Sequence, residues 1–98
     1  MTVTIEPLGD HEYLVQLSED GQQIHSRFRA DPAALADVGG DRTTEGRVVR
    51  ETMDFLVEHQ EAQDLPDLID LLDVMATYQE FPEELRRRLR AVEAGEQR

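Results

Sequence analysis

The first thirty residues alternate apolar and polar positions with period two, the signature of half-buried strands. Val3 and Ile5 share one face of a first segment, Tyr13, Val15 and Leu17 one face of a second, and Ile24 and Phe28 one face of a third. Pro7, Gly9 and Asp10 separate the first two segments. Asp20-Gly21 separates the second from the third, a dipeptide suited to a type I′ turn because both central residues need positive φ. Such a turn predicts a register in which Glu19 faces Gln22, Leu17 faces Ile24, Val15 faces Ser26 and Tyr13 faces Phe28. Tyr13, Val15, Leu17, Ile24 and Phe28 then share a face, with Leu14 alone among the large apolar residues on the other, and a one-residue slip would destroy this. The opposite face pairs Gln16 with His25, Leu14 with Arg27, and Glu12 with Arg29 as opposite charges.

Beyond residue 30 the period lengthens. Asp31-Pro32 reads as an N-cap followed by proline at the first helical position, and Gly39-Gly40 as the stop. Leu35 and Val38 face the core of this short helix. Thr43 or Thr44 caps a second helix with Glu45 in its first turn. At 100° per residue Val48, Val49, Thr52, Met53, Phe55, Leu56 and His59 fall within one arc of about 160°. Glu51, Asp54, Glu58 and Glu61 occupy a separate arc. Pro66 breaks the chain, and a third helix follows over about residues 66–79, capped by Asp64 or Asp67 or split at Asp70. Its arc of Leu68, Ile69, Leu71, Leu72, Met75 and Tyr78 is broad, which implies burial on two sides or a dimer contact. Phe81-Pro82-Glu83-Glu84 starts a last helix with Leu85, Leu89 and Val92 as its stripe, and the tail from Gly95 is expected to fray.

The expectation is therefore an α+β fold in a single domain, 1–98. A three-stranded antiparallel meander (about 2–8, 12–19 and 22–30) is packed on one face by three to four helices (about 32–38, 44–61, 66–79 and 82–93).

Charge adds a surface to this frame. The chain carries 22 Asp and Glu against 10 basic residues, all Arg, for a net charge of −12. Between Glu51 and Glu84 lie eleven carboxylates and no Arg or Lys. A lysine-free acidic composition fits a GC-rich genome or a salt-rich cytoplasm, and it disfavours nonspecific contact with nucleic acid or anionic membrane. The alternative is that Glu51, Asp54, Glu58, Glu61, Asp67, Asp70 and Asp73 form a surface for a basic partner, in the sharpest version by imitating nucleic acid. Arg27, Arg29, Arg86, Arg87, Arg88 and Arg90 are the candidate anion contacts. Arg27 and Arg29 lack an aromatic platform for single-stranded RNA, and the Arg86–Arg90 cluster is expected to pair with the acidic helices, so nucleic acid is not the expected partner; an RNA- or DNA-binding module using these arginines is the alternative.

Chemistry is sparse. The chain has no Cys. Aspartates every three residues from Asp64 to Asp73 drift around a helix by about 60° per step and cannot converge on one ion. Gly39-Gly40 fits no phosphate-loop spacing. His59 has no Ser, Cys or second His at a recognisable spacing. No cofactor, metal or catalytic residue is expected. With no signal-peptide pattern and no apolar run near the roughly 20 residues of a membrane span, a soluble cytoplasmic bacterial protein with no membrane contact is the simplest expectation.

Three segments, Asp54-Phe55-Leu56-Val57-Glu58, Asp70-Leu71-Leu72-Asp73-Val74 and Tyr78-Gln79-Glu80-Phe81-Pro82-Glu83-Glu84, resemble a group of small bacterial proteins of unassigned function. That group shares an N-terminal strand pair, a Phe-Leu helix and a Tyr/Phe-Pro-Glu segment. The resemblance covers about the C-terminal half, implies the order strands then helices, and carries no activity. The function read from the sequence is a small non-enzymatic interaction or regulatory module, acting on a protein partner or as a homodimer.

Overall fold

The computed structural model describes residues 2–96, with side chains through Arg90. Strands β1 (Thr2–Gly9), β2 (Glu12–Glu19) and β3 (Gln22–Arg29) form an antiparallel meander. Helices α1 (Pro32–Asp37) and α2 (Glu45–His59), a 3₁₀ turn (Ala62–Asp64), strand β4 (Leu68–Asp70), and helices α3 (Leu71–Thr77) and α4 (Phe81–Glu96) follow. The fold is α+β. The side chain of Val92, and the part of the predicted frayed tail beyond Glu96, lie outside the described residues.

The β2–β3 register is the one the turn predicts, pair for pair from Glu12↔Arg29 to Glu19↔Gln22. Asp20 and Gly21 both have positive φ (51° and 80°), as a type I′ turn demands. The ion pair on the outer face is diagonal, however. Glu12 Oε1 accepts from Arg27 at 2.9 Å, two residues along β3 from its direct neighbour Arg29. A second two-residue turn, Asp10-His11, joins β1 to β2 with φ of 51° and 65°. The register shift between Pro7 and Gly9 leaves Leu8 as the extra residue of a bulge, 49% exposed.

The sheet has four strands in the order β1-β2-β3-β4, and β4 is parallel to β3. Residues 66–70 were expected to open a helix, and this is the main departure. The apolar pattern at 68, 69, 71 and 72 fits a helical arc, but β3 offers an unpaired edge and the chain after Pro66 fills it. Arg27 N donates to the Asp67 carbonyl at 2.8 Å, and the Ser26 hydroxyl donates to the Pro66 carbonyl at 2.8 Å. Ile69 then packs inward opposite Phe28, while Leu68 and Leu72 are left half exposed. The broad apolar arc is explained by this switch of period. Asp70 ends the strand and caps α3, accepting from Leu72 N at 3.0 Å.

The helices share one core with the inward sheet face. Val15, Leu17 and Phe28 of the sheet are buried with Val48, Val49, Met53, Phe55 and Leu56 of α2 and Phe81 and Leu85 of α4. Buried polar groups are matched: the Thr52 hydroxyl donates to the Val48 carbonyl at 2.7 Å. Among the described residues no buried side-chain polar atom lacks a partner. α1 starts as expected, with Asp31 accepting from Ala33 N and Ala34 N. At the start of α2 Thr44 makes no side-chain cap. Its hydroxyl accepts from Asp41 N at 2.9 Å, and Asp41 in turn accepts from the Thr43 hydroxyl and backbone, which holds its carboxyl below its ordinary range. No described helix is long and apolar enough to cross a membrane.

Candidate interaction groove and the buried Glu45 network

The β2–β3 hairpin projects past the core, and its tip stands opposite the end of α2. Between them lies an open groove of about 650 Å³. Leu17, Ile24 and Val57 line its apolar part, and Glu19, Asp20, Glu58 and Glu61 supply four carboxylates. No Arg lines it. The carbonyl end of α2 adds the negative pole of the helix dipole. His59 lines the groove too: its Nδ1–H donates to the Phe55 carbonyl at 2.8 Å and its ring stacks on Phe55 at 4.0 Å. His59 is thus an exposed helix-end residue rather than a member of the buried arc.

The sequence-predicted acidic set is split by the fold. Glu58 and Glu61 meet in the groove, joined by Glu19 and Asp20. Glu51 faces α4, 3.7 Å from Arg88, and Asp54 is half exposed. Asp70 and Asp73 border a second cavity of about 280 Å³ between α2, β4 and α3, and Asp67 is exposed beside it on the chain. The arginines divide likewise. Arg88 binds Glu58 at 2.8 Å and Glu84 at 3.2 Å, Arg87 binds Glu84 at 3.0 Å, and Arg86 donates to the Asp37 carbonyl at 2.7 Å. Arg90 joins Arg86 at a small cavity beside the start of α2. Arg27 pairs with Glu12, and Arg29 and His25 are exposed on the open sheet face.

A second constellation has no local signal in the sequence. The Asp10-His11 turn carries His11 over the start of α2, where Glu45 is only 7% exposed. Glu45 Oε2 lies 2.7 Å from His11 Nδ1, and Glu45 Oε1 accepts from the Tyr13 hydroxyl at 2.6 Å. A carboxylate at that distance favours a proton on Nδ1. This is the geometry of a base and its orienting acid. Pro7, Gly9, Asp10, Glu12 and Arg42 complete a cavity of about 260 Å³ here, with no Ser, Thr or Cys among its described lining residues to act as a nucleophile. What the network does on this geometry is pin the first hairpin turn to α2. Residues 11 and 45 are too far apart in sequence for any spacing rule to connect them.

Tyr13 reports on that network. Burial, then the hydrogen bond to Glu45 and its charge, push the phenol well above its ordinary 10.0. Because the folded state holds this proton more tightly than the unfolded chain, the linked stability is intact below pH 10 and is lost as pH rises above it. The expected slope is at most about 1.4 kcal/mol per pH unit. The chain has no Lys or Cys to titrate in the same range. Urea midpoints from pH 8 to 11.5 should fall for the native chain and stay flatter for Tyr13→Phe. Parallel curves for the two proteins would remove the assignment.

Comparison with known proteins finds no matching family model, no matching curated protein and no matching solved structure.

Proposed function

We propose that this chain is a small, non-enzymatic, cytoplasmic interaction module that receives a basic, amphipathic segment of a protein partner in the groove between the β2–β3 tip and the end of α2. The observation that carries the reading is the lining: the carboxylates of Glu19, Asp20 and Glu61, beside a Glu58 already held by Arg88, over Leu17, Ile24 and Val57, with no arginine among the described lining residues. A segment alternating Arg or Lys with Leu would place its apolar side chains on that floor and its cations against Glu19, Asp20 and Glu61. The net charge of −12 steers such a partner toward the molecule and raises the on-rate at low salt. The groove favours this reading over a general polyanion mimic, since Glu51 and Glu58, two of the acids a mimic would present, already bind Arg88.

The test uses a fluorescein-labelled Arg/Leu peptide and fluorescence anisotropy. Saturable 1:1 binding is expected, weakened at least tenfold by the Glu19→Arg/Glu61→Arg pair. It should also weaken when the peptide leucines become serine. Binding that survives the charge reversal, or that ignores the leucines, would defeat the groove assignment.

A further inference from the structure

One cavity has the opposite charge. It is about 220 Å³, set between the end of α1, the start of α2 and one face of α4, and Arg47, Arg86 and Arg90 line it with Thr44 over Val38 and Leu89. None of the described lining residues is acidic, in a chain with 22 carboxylates and 10 arginines.

The fold explains how it forms. Arg86 and Arg90 are one turn apart on α4 and so share a face, with Leu89 nearly buried beside them. Arg86 is fixed by its own backbone contact: Nη2 and Nε donate to the Asp37 carbonyl at 2.7 and 3.3 Å. Arg90 is exposed. Arg47 lies in the first turn of α2, lines the wall, and has a partner of its own. That turn presents backbone N–H groups without a side-chain cap, since the Thr44 hydroxyl is committed to Asp41.

We propose that this cavity is a binding site for a small phosphoryl group. Arg86 and Arg90 offer planar guanidinium donors matched to tetrahedral oxyanions, and the bound charge relieves their mutual repulsion. The volume falls below the roughly 300–1,000 Å³ of sites for drug-sized ligands. The ligand is therefore inorganic phosphate or the phosphate of a compact phosphomonoester, not a dinucleotide. The site shares no lining residue with the acidic groove.

The experiment is NMR titration of the ¹⁵N-labelled full chain at pH 8 with phosphate, glycerol 3-phosphate or chloride, at matched ionic strength. Saturable shifts centred on residues 38–47 and 86–90 are expected with phosphate and absent with chloride. Tighter binding of glycerol 3-phosphate would make the ligand a phosphomonoester, and equal or weaker binding would make it inorganic phosphate. Arg90→Gln should lower phosphate affinity at least fivefold while leaving amide shifts elsewhere unchanged. Arg86→Gln should lower it further, and circular dichroism checks its fold because the Asp37 contact is lost. Shifts that chloride reproduces, or an affinity unchanged in Arg90→Gln, would overturn the site. Saturable binding of a single-stranded RNA dodecamer without saturable phosphate binding would overturn the small-ligand assignment in favour of a nucleic-acid contact.

Discussion

Replacing Phe81 with alanine is expected to remove about 3–5 kcal/mol of stability, the range for a buried aromatic whose cavity only partly collapses. Phe81 is fully buried at the start of α4, its ring centroid 4.5 Å from that of Phe55. Phe55 meets the edge of Tyr78 at 5.3 Å, so the three rings join α2 to the segment between α3 and α4. Truncation deletes the ring's buried area and one side of an aromatic contact worth a further ~1 kcal/mol. Domains of this size hold only about 5–15 kcal/mol in total. The melting temperature should fall by more than about 12 °C, at roughly 4–8 °C per kcal/mol. Leu72→Ala is the contrast, since Leu72 is 51% exposed and its truncation should change stability by less than about 0.5 kcal/mol. Urea unfolding of the two variants checks both values. A loss below about 1.5 kcal/mol for Phe81→Ala would mean that α4 is not seated on this cluster.

The contrast between those two residues shows what the sequence carries and what it withholds. The β2–β3 hairpin is legible because two signals agree, a dipeptide that admits one turn type and an alternation that admits one register. The α2 core stripe is legible because fifteen residues of one period leave little ambiguity. The Asp70 cap that splits the predicted third helix is legible too, but the strand before it over 68–70 is not, because three residues carry no periodicity of their own. Its conformation is decided by the open edge of β3, which exists only once the meander has formed. Leu68 and Leu72 look like core residues in a helical wheel and are surface residues in the fold. The sites follow the same rule. Glu58 and Glu61 are visible as an acidic face, but the groove needs Glu19 and Asp20, brought there by packing. His11 and Glu45 meet for the same reason. Arg86 and Arg90 stand out as a basic run, yet nothing local distinguishes them from Arg88, which turns the other way and is consumed by the acidic helix.

That consumption makes Arg88 the polar counterpart of Phe81, and Arg88→Met should cost about 2–3 kcal/mol. The guanidinium is 21% exposed and lies 5.9 Å above the Phe55 ring, with Nη2 2.8 Å from Glu58, Nε 3.2 Å from Glu84 and Nη1 3.7 Å from Glu51. Burial works to lower its pKa, and the hydrogen bonds it donates to Glu58 and Glu84 override this and hold it above its ordinary value. An exposed pair would be worth about 0–1 kcal/mol, whereas stripping one partner from a buried pair costs about 3–5. Partial exposure places Arg88 between these limits. Methionine preserves most of the packing volume, so the loss reports the three carboxylates left to repel one another across the α2–α4 seam. Two further measurements separate that cause from packing. Raising NaCl from 0.15 to 1 M shortens the screening length from about 8 to 3 Å and should recover part of the deficit. In a Glu51→Gln/Glu58→Gln/Glu84→Gln background, Arg88→Met should cost less than about 1 kcal/mol, since the repulsion it would release is already gone. Arg88→Lys should fall between, because a single ammonium cannot reach three acids from one position. If the deficit is the same in high salt and in the triple-glutamine background, the acids of α2 are not held by Arg88 and are available to a partner along the whole helix.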